Sequence, residues 1–369
     1  MTSVWYDQPG ETPVADVPAD YYPTGCGSWF EVPDGRDAGK RLFVRDSVHG
    51  GGRIEPSRSA DADPDHTVVF VHGNPECSYT YRHVITNLLN ETDETVRVVA
   101  MDHVGFGLSD TADHEMVCMD HAENLAALVP ALDLKNVTLV VHDWGGPIGV
   151  GAFLQYPELV SNLVLCNSTV LPMPADRPTY TTYPAWWLPW ARTPDVIPDT
   201  LWGDLASYVL FHASPTRPAR LYGGWTRYVA ARRLGLSPSR DAPAHRVFRQ
   251  QFRDPVNVRS SKRLVRQTPY WGHGNVYEDS DLGLRDTGPF YGRIRRSLGA
   301  AWGPRGRDVG VRAVVGRWDP CGKPSVLGRW QEGLPQLSGH VTAFEDVGHF
   351  VEEERPRAVA SAIRSAAGI

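Results

Sequence analysis

The sequence predicts an α/β protein with an open, mostly parallel sheet interrupted by one large insertion. Short β-branched and aliphatic runs, Thr67–Val71 (TVVFV), Val96–Met101 (VRVVAM), Val137–Val141 (VTLVV) and Leu163–Leu165 (LVL), alternate with helix-length segments. Strands buried on both faces read as such continuous runs, and parallel sheets are built from them. The alternation stops after Asn167 and resumes at Val311–Val315 (VRAVV) and Val341–Phe344 (VTAF). The gap is far longer than an unstructured connection tolerates. The expected organisation is therefore a first core part over 1–167, an inserted cap over 168–310 and a second core part over 311–369.

Taken in order, Ser28–Val32 and Arg41–Val48 are expected to pair as an antiparallel hairpin ahead of the parallel strands. Between strands, Glu115–Leu132 places Val117, His121, Leu125, Leu128 and Leu132 at three- and four-residue steps, a helical face. A last helix is expected from Pro356, a favourable first-turn residue. The cap is rich in Trp and Tyr, read as its own packing, and its later arginines as a solvated face.

Composition narrows the function. A chain of 369 residues that is 41% hydrophobic and carries no low-complexity tract is long enough to bury a substantial core, which excludes disorder. With 37 Lys and Arg against 43 Asp and Glu, the net charge of −6 lacks the basic excess that nucleic acid or an anionic membrane would need. The cysteines Cys26, Cys77, Cys118, Cys166 and Cys321 are scattered and describe neither a disulfide framework nor a metal site. The first basic residue is Arg36, no signal peptide is legible, and no apolar run is long enough to span a bilayer, so a cytoplasmic protein is expected. The acidic stretch Asp61–His66 lacks the Gly and terminal Glu of a calcium loop and is read as solvated.

The chemistry concentrates at strand ends. Val141-His142-Asp143-Trp144-Gly145-Gly146 follows a buried strand and opens a helix, the context of a nucleophile elbow with Asp143 in the nucleophile's place. The first glycine of that pattern is replaced by Val141. A carboxylate is already an anion at pH 7 and can attack a saturated carbon directly, forming an alkyl ester. His72-Gly73-Asn74-Pro75 follows the TVVFV strand, where an oxyanion-hole donor is expected, so the Asn74 amide and the Trp144 indole are candidate donors to a leaving group. Asp319 and His349 follow the VRAVV and VTAF strands and complete a nucleophile, acid, base order. Asp102, His103 and Asp110 are read as loop-structuring residues, and His142 as a packed neighbour of the nucleophile.

In the segments His72–Ile85 (HGNPECSYTYRHVI), Met101–Asp110 (MDHVGFGLSD), Val141–Gly149 (VHDWGGPIG) and Asp346–Glu354 (DVGHFVEEE), the chain resembles the haloalkane dehalogenases of the α/β-hydrolase fold. The resemblance implies that fold, with a long helical cap inserted after the sixth strand. It implies hydrolysis of a halogenated small molecule by water to an alcohol, a halide ion and a proton, with no cofactor and no metal. It maps the nucleophile onto Asp143, the base onto His349 and the halide pair onto Asn74 and Trp144. The sixth-strand position that carries the acid in some members holds Asn167, so the resemblance assigns the acid to Asp319. Three features depart from the family: Glu76, where a small polar residue is usual and where a carboxylate would repel a leaving anion unless it points away or is protonated; an insert longer than the family's cap; and the segment from Trp271 to Ile294, which matches nothing in the family. The alternatives are an epoxide hydrolase, with Tyr180, Tyr183 or Tyr222 as the acid, and a ligand-binding descendant without turnover. Natural substrate and oligomeric state are not legible.

Overall fold

The computed structural model describes residues 3–59, 64–236 and 243–369; Asp61–Asp63 of the acidic stretch lie outside them. Strands β1 (Trp5–Tyr6), β2 (Gly27–Glu31), β3 (Arg41–Gly50) and β4 (Arg53–Pro56) form the antiparallel side of the sheet. The parallel part follows as β5 (His66–Val71), α1 (Arg82–Asn90), β6 (Val96–Met101), α2 (Cys118–Leu128), β7 (Val137–His142), α3 (Gly145–Phe153) and β8 (Val160–Cys166). The next elements are helical: α4 (Thr193–Val196), α5 (Asp199–His212), α6 (Pro218–Arg233), α7 (Pro243–Gln250) and α8 (Pro255–Gln267). A two-stranded hairpin, β9 (Val276–Asp279) and β10 (Gly283–Asp286), and α9 (Gly288–Trp302) lead back to β11 (Gly310–Gly316), α10 (Pro324–Gly333), β12 (Val341–Phe344), α11 (Val351–Glu354) and α12 (Pro356–Ala367).

The strand order is β1-β2-β3-β6-β5-β7-β8-β11-β12, with β4 on β3, and every pair from β6 to β12 is parallel. Alternation within strands assigns the two layers. Val68, Phe70 and Val140 face one side with Val84 and Leu88 of α1 and Val359 and Ile363 of α12. Val69, Val71, Leu139 and Val141 face the other, with Leu125 of α2, Ile148 of α3 and Leu298 of α9. This is the sheet with helices on both faces that the continuous apolar runs predict. The α/β-hydrolase fold follows from this order and from the long helical excursion after β8. Helix α9, the last before β11, packs on α3, where the Phe290 ring leaves no room for a side chain at Gly151. Among the described residues no helix is long and apolar enough to cross a membrane.

The sheet positions the site through one tight crossing. A Cβ at Gly145, in the first turn of α3, would lie 2.1 Å from the Val71 carbonyl oxygen at the end of β5, and backbone cannot move aside as a flexible side chain can. Gly145→Ala is expected to destabilise the fold by about 3 kcal/mol or more, read by chemical denaturation; an unchanged midpoint would show that helix and strand can separate freely.

Candidate active site

Asp143 sits on the turn between β7 and α3 with φ of +49°, a left-handed conformation that costs a non-glycine residue about 1–3 kcal/mol. Neighbours hold it there. The Ser168 hydroxyl donates to the Asp143 carbonyl oxygen (2.5 Å), which also accepts the Gly146 N–H (3.1 Å). The turn lifts the carboxylate towards the loop after β5, where the Asn74 backbone N–H donates to Asp143 Oδ1 (2.7 Å). Gly73 is required at this crossing, because a Cβ there would lie 2.4 Å from Asp143 Oδ1 and 2.7 Å from the Trp144 backbone nitrogen.

The loop after β12 brings His349 Nε2 to 3.1 Å from Asp143 Oδ2, and the loop after β11 brings Asp319 Oδ2 to 2.9 Å from His349 Nδ1. The three residues named from the sequence as nucleophile, base and acid thus form one line at the carboxyl ends of the parallel strands β7, β12 and β11. Burial would lower the basicity of His349, but Asp319 and Asp143 on either side raise its pKa well above the ordinary histidine value. The two flanking carboxylates thus favour the protonated form of His349.

Asp319 is fully buried and richly supplied with donors: the Cys321 N–H (2.8 Å), the Tyr180 hydroxyl (3.1 Å to Oδ2) and the Asn167 amide (3.2 Å to Oδ1). Asn167 also accepts the Gly316 N–H (2.8 Å) and donates to the Gly316 carbonyl (3.0 Å). The neutral residue at the end of β8 thus serves the carboxylate at the end of β11, the complement of having no acid of its own.

Asn74 and Trp144 flank Asp143. Trp202 Nε1 donates to Ser261 Oγ (2.8 Å), and the Ser261 hydroxyl donates to Asn74 Oδ1 (2.5 Å), which fixes the orientation of the amide. One Asn74 N–H reaches the Ser261 carbonyl at 3.3 Å, and an amide nitrogen has a second to offer. Trp144 is buried edge-on against Trp271 (4.7 Å between ring centres), which in turn meets Tyr180 (5.4 Å). Ser261, Trp202 and Trp271 were missed in the sequence because the fold of the cap alone brings them to the site; no local motif marks them.

The cavity over His349 is apolar, lined by Tyr183, Trp190, Leu205, Val209, Leu221 and Trp225 among others. Of the cap tyrosines considered as acids, the Tyr222 hydroxyl donates to the Leu188 carbonyl (2.6 Å) and Tyr180 to Asp319, while Tyr183 lines the cavity. Glu76 points away from this cavity. Its Oε1 accepts the Gly73 N–H (2.9 Å) and meets His142 Nδ1 (2.5 Å), so it does not oppose a leaving anion directly. Asp102 accepts the Ser78 and Leu108 N–H groups and the Tyr21 hydroxyl, and Asp110 accepts the Glu11 and Arg41 N–H groups, both as loop-structuring residues. His103 Nε2 meets the His72 carbonyl at 3.0 Å.

Asn167→Asp would set a second carboxylate against Asp319 and the Gly316 carbonyl. Its pKa would be raised in the folded state, so the penalty is present at neutral pH and relieved as the pH falls through that raised value. A loss of about 2–4 kcal/mol at pH 7 that shrinks on acidification is expected in denaturation experiments at several pH values; equal loss at every pH would refute the charge argument.

Comparison with known proteins agrees with the fold. A family profile described as alpha/beta hydrolase fold matches residues 66–356. A cis-3-alkyl-4-alkyloxetan-2-one decarboxylase of Shewanella oneidensis is 28% identical over 320 residues, covering 85% of this chain and 84% of the relative. A haloalkane dehalogenase of Mycolicibacterium paratuberculosis is 38% identical over 133 residues, 36% of this chain and 42% of the relative. Among solved structures, the haloalkane dehalogenase DpaA of Paraglaciecola agarilytica superposes with a TM-score of 0.65 at 20% identity, covering 96% of this chain and 97% of that one. With an aspartate at the elbow, and with the strand order and profile both those of that fold, the chain belongs to the alpha/beta hydrolase fold family.

Proposed function

We propose that this chain is an enzyme in which Asp143 displaces a leaving group from a saturated carbon, forming an alkyl ester on Asp143. The line Asp143, His349, Asp319 carries the reading. Before attack, two carboxylates hold the proton on His349. Esterification removes the charge of Asp143, so one of the two anions that raise the His349 pKa disappears when the ring must become a base. Asp319, held by three donors, keeps the ring oriented.

Two leaving groups fit this chemistry, each with its own support. Halide is supported by the donor pair, the Asn74 amide pre-set by Ser261 and the Trp144 indole, which stabilise an anion without a buried cation. With Asp143 esterified, His349 gives its proton to solvent and then takes one from a water; the hydroxide attacks the ester carbonyl, and alcohol leaves with Asp143 ionised and the ring protonated again. A ring carboxylate is supported by the oxetanone decarboxylases, whose similarity spans the cap as well as the core. There Asp143 would attack ring C4 and break the C4–O bond. Loss of CO2 from the freed carboxylate would then supply the electron pair of a C=C bond as the C–O bond to Asp143 breaks, with no water consumed. The apolar cavity suits alkyl substituents of either substrate. Epoxide opening is the weaker reading, since two of the three cap tyrosines already donate within the protein.

The test is to offer 1,2-dibromoethane and a cis-3,4-dialkyl oxetan-2-one in parallel, measuring halide, CO2 and alkene. With halide as leaving group, His349→Phe should accumulate an Asp143 alkyl adduct visible by intact-protein mass spectrometry while turnover falls on the order of 1000-fold. With the lactone, CO2 and alkene should appear in equal amounts. Neither product from either compound, with Asp143 unmodified, would reject the enzyme and favour a binding role.

A further inference from the structure

Beside the catalytic line, three ionisable side chains meet in the interior, none of them lining the cavity. Glu76, His142 and Glu352 are each 0% exposed. His142 Nδ1 lies 2.5 Å from Glu76 Oε1, and His142 Nε2 lies 2.9 Å from the His349 carbonyl oxygen and 3.5 Å from Glu352 Oε2. A carbonyl oxygen only accepts, so Nε2 must carry a proton. Glu76 Oε1 already accepts the Gly73 N–H and is best satisfied by a second donor, which places a proton on Nδ1 as well. The ring is then an imidazolium with no lone pair to offer a metal, although the three residues stand close enough to surround one. Burial alone would lower the pKa of His142, but Glu352 and Glu76 more than offset it and raise it to about 9. Burial raises Glu352, whereas His142 and the Gly73 N–H hold Glu76 below the ordinary carboxylate value.

The cluster joins the segments that carry Asn74, Asp143 and His349. Glu76 holds Gly73, next to the Asn74 N–H that grips Asp143. His142 is the last residue of β7, immediately before Asp143, and its ring packs 4.7 Å from that of His349. Glu352, on α11, accepts the Thr80 hydroxyl (3.1 Å). We propose that Glu76, His142 and Glu352 are positioning residues, a buried carboxylate, imidazolium and carboxyl clamp that fixes the His349 main chain to the end of β7 and so sets the His349 to Asp143 distance. The proposal rests on the reading above that these two residues do the chemistry. It also gives Glu76, the residue out of place for an anion-releasing site, a role that needs its charge.

Two measurements test it. In the full-length protein labelled with 15N-histidine, His142, assigned by comparison with His142→Gln, should show both ring nitrogens protonated at pH 7.5, and Glu76→Gln should convert it to a neutral ring. A singly protonated His142 in the unmodified protein would overturn the clamp. In single-turnover kinetics, Glu76→Gln, and Glu352→Gln should the first variant fail to fold, is expected to slow the step after adduct formation on the order of 10- to 100-fold, as loss of about 1 Å of positioning does, with KM changed less than about 3-fold. The double variant Glu76→Gln with His142→Gln should be no worse than the worse single one. Full activity in folded Glu76→Gln, or losses that simply multiply in the double variant, would overturn the proposal. The nuclear resonance result stands whether or not either substrate is turned over, so failure of the functional reading and failure of the clamp are told apart.

Discussion

One crossing governs the structure: the end of β5 and the start of α3 approach so closely that only glycine fits at positions 73 and 145. The sharp turn this creates holds Asp143 in a left-handed backbone conformation, and the conformation lifts its carboxylate out of the sheet. Everything that acts on that carboxylate arrives from the end of another strand of the same sheet. The Asn74 N–H comes from the loop after β5, His349 from the loop after β12, and Asp319 from the loop after β11. Parallel strands make this convergence available, because their carboxyl ends all open on one edge.

On the proposed chemistry, electrostatics would give the arrangement its order of events. A histidine between two carboxylates holds its proton; a histidine facing one carboxylate and one ester releases it more readily. The same rule shapes the interior beneath. A carboxylate at Glu76 is tolerable in a fully buried place because the Gly73 N–H and His142 face it.

The frame was legible in the sequence because its signals are local. Continuous apolar runs gave β5, β6, β7, β11 and β12 within a residue or two, although β8 begins at Val160, ahead of the LVL run, because half-exposed Ser161 and Asn162 break the apolar signal. Helix α2 starts at Cys118 and gives way to a tighter turn at Val129, where Pro130 cannot donate to the helix ladder. Asp143, His349 and Asp319 could be named because each follows its strand by a few residues, and the structure brings all three together. Ser261 and Trp271 could not, since they lie far along a cap whose helices carry no family pattern and whose docking is set by tertiary packing. The sequence marks His142 only as a packed neighbour; that it links Glu76 and Glu352 depends on a loop, a strand end and a helix far apart in the chain, and sequence spacing does not encode which buried charges meet.

The cap does more than roof the cavity. Tyr180 gives its hydroxyl to Asp319 and Ser261 sets the amide of Asn74, so the loops after β11 and β5 are both completed by residues of the inserted segment. Any motion that lifts the cap to admit a substrate or release a product also strips a donor from Asp319 and frees Asn74 to rotate. On the proposed reading, closure of the cap would therefore arm the chemistry, and with the cap raised Asp143 would be a poorer reagent towards whatever solvent brings to it.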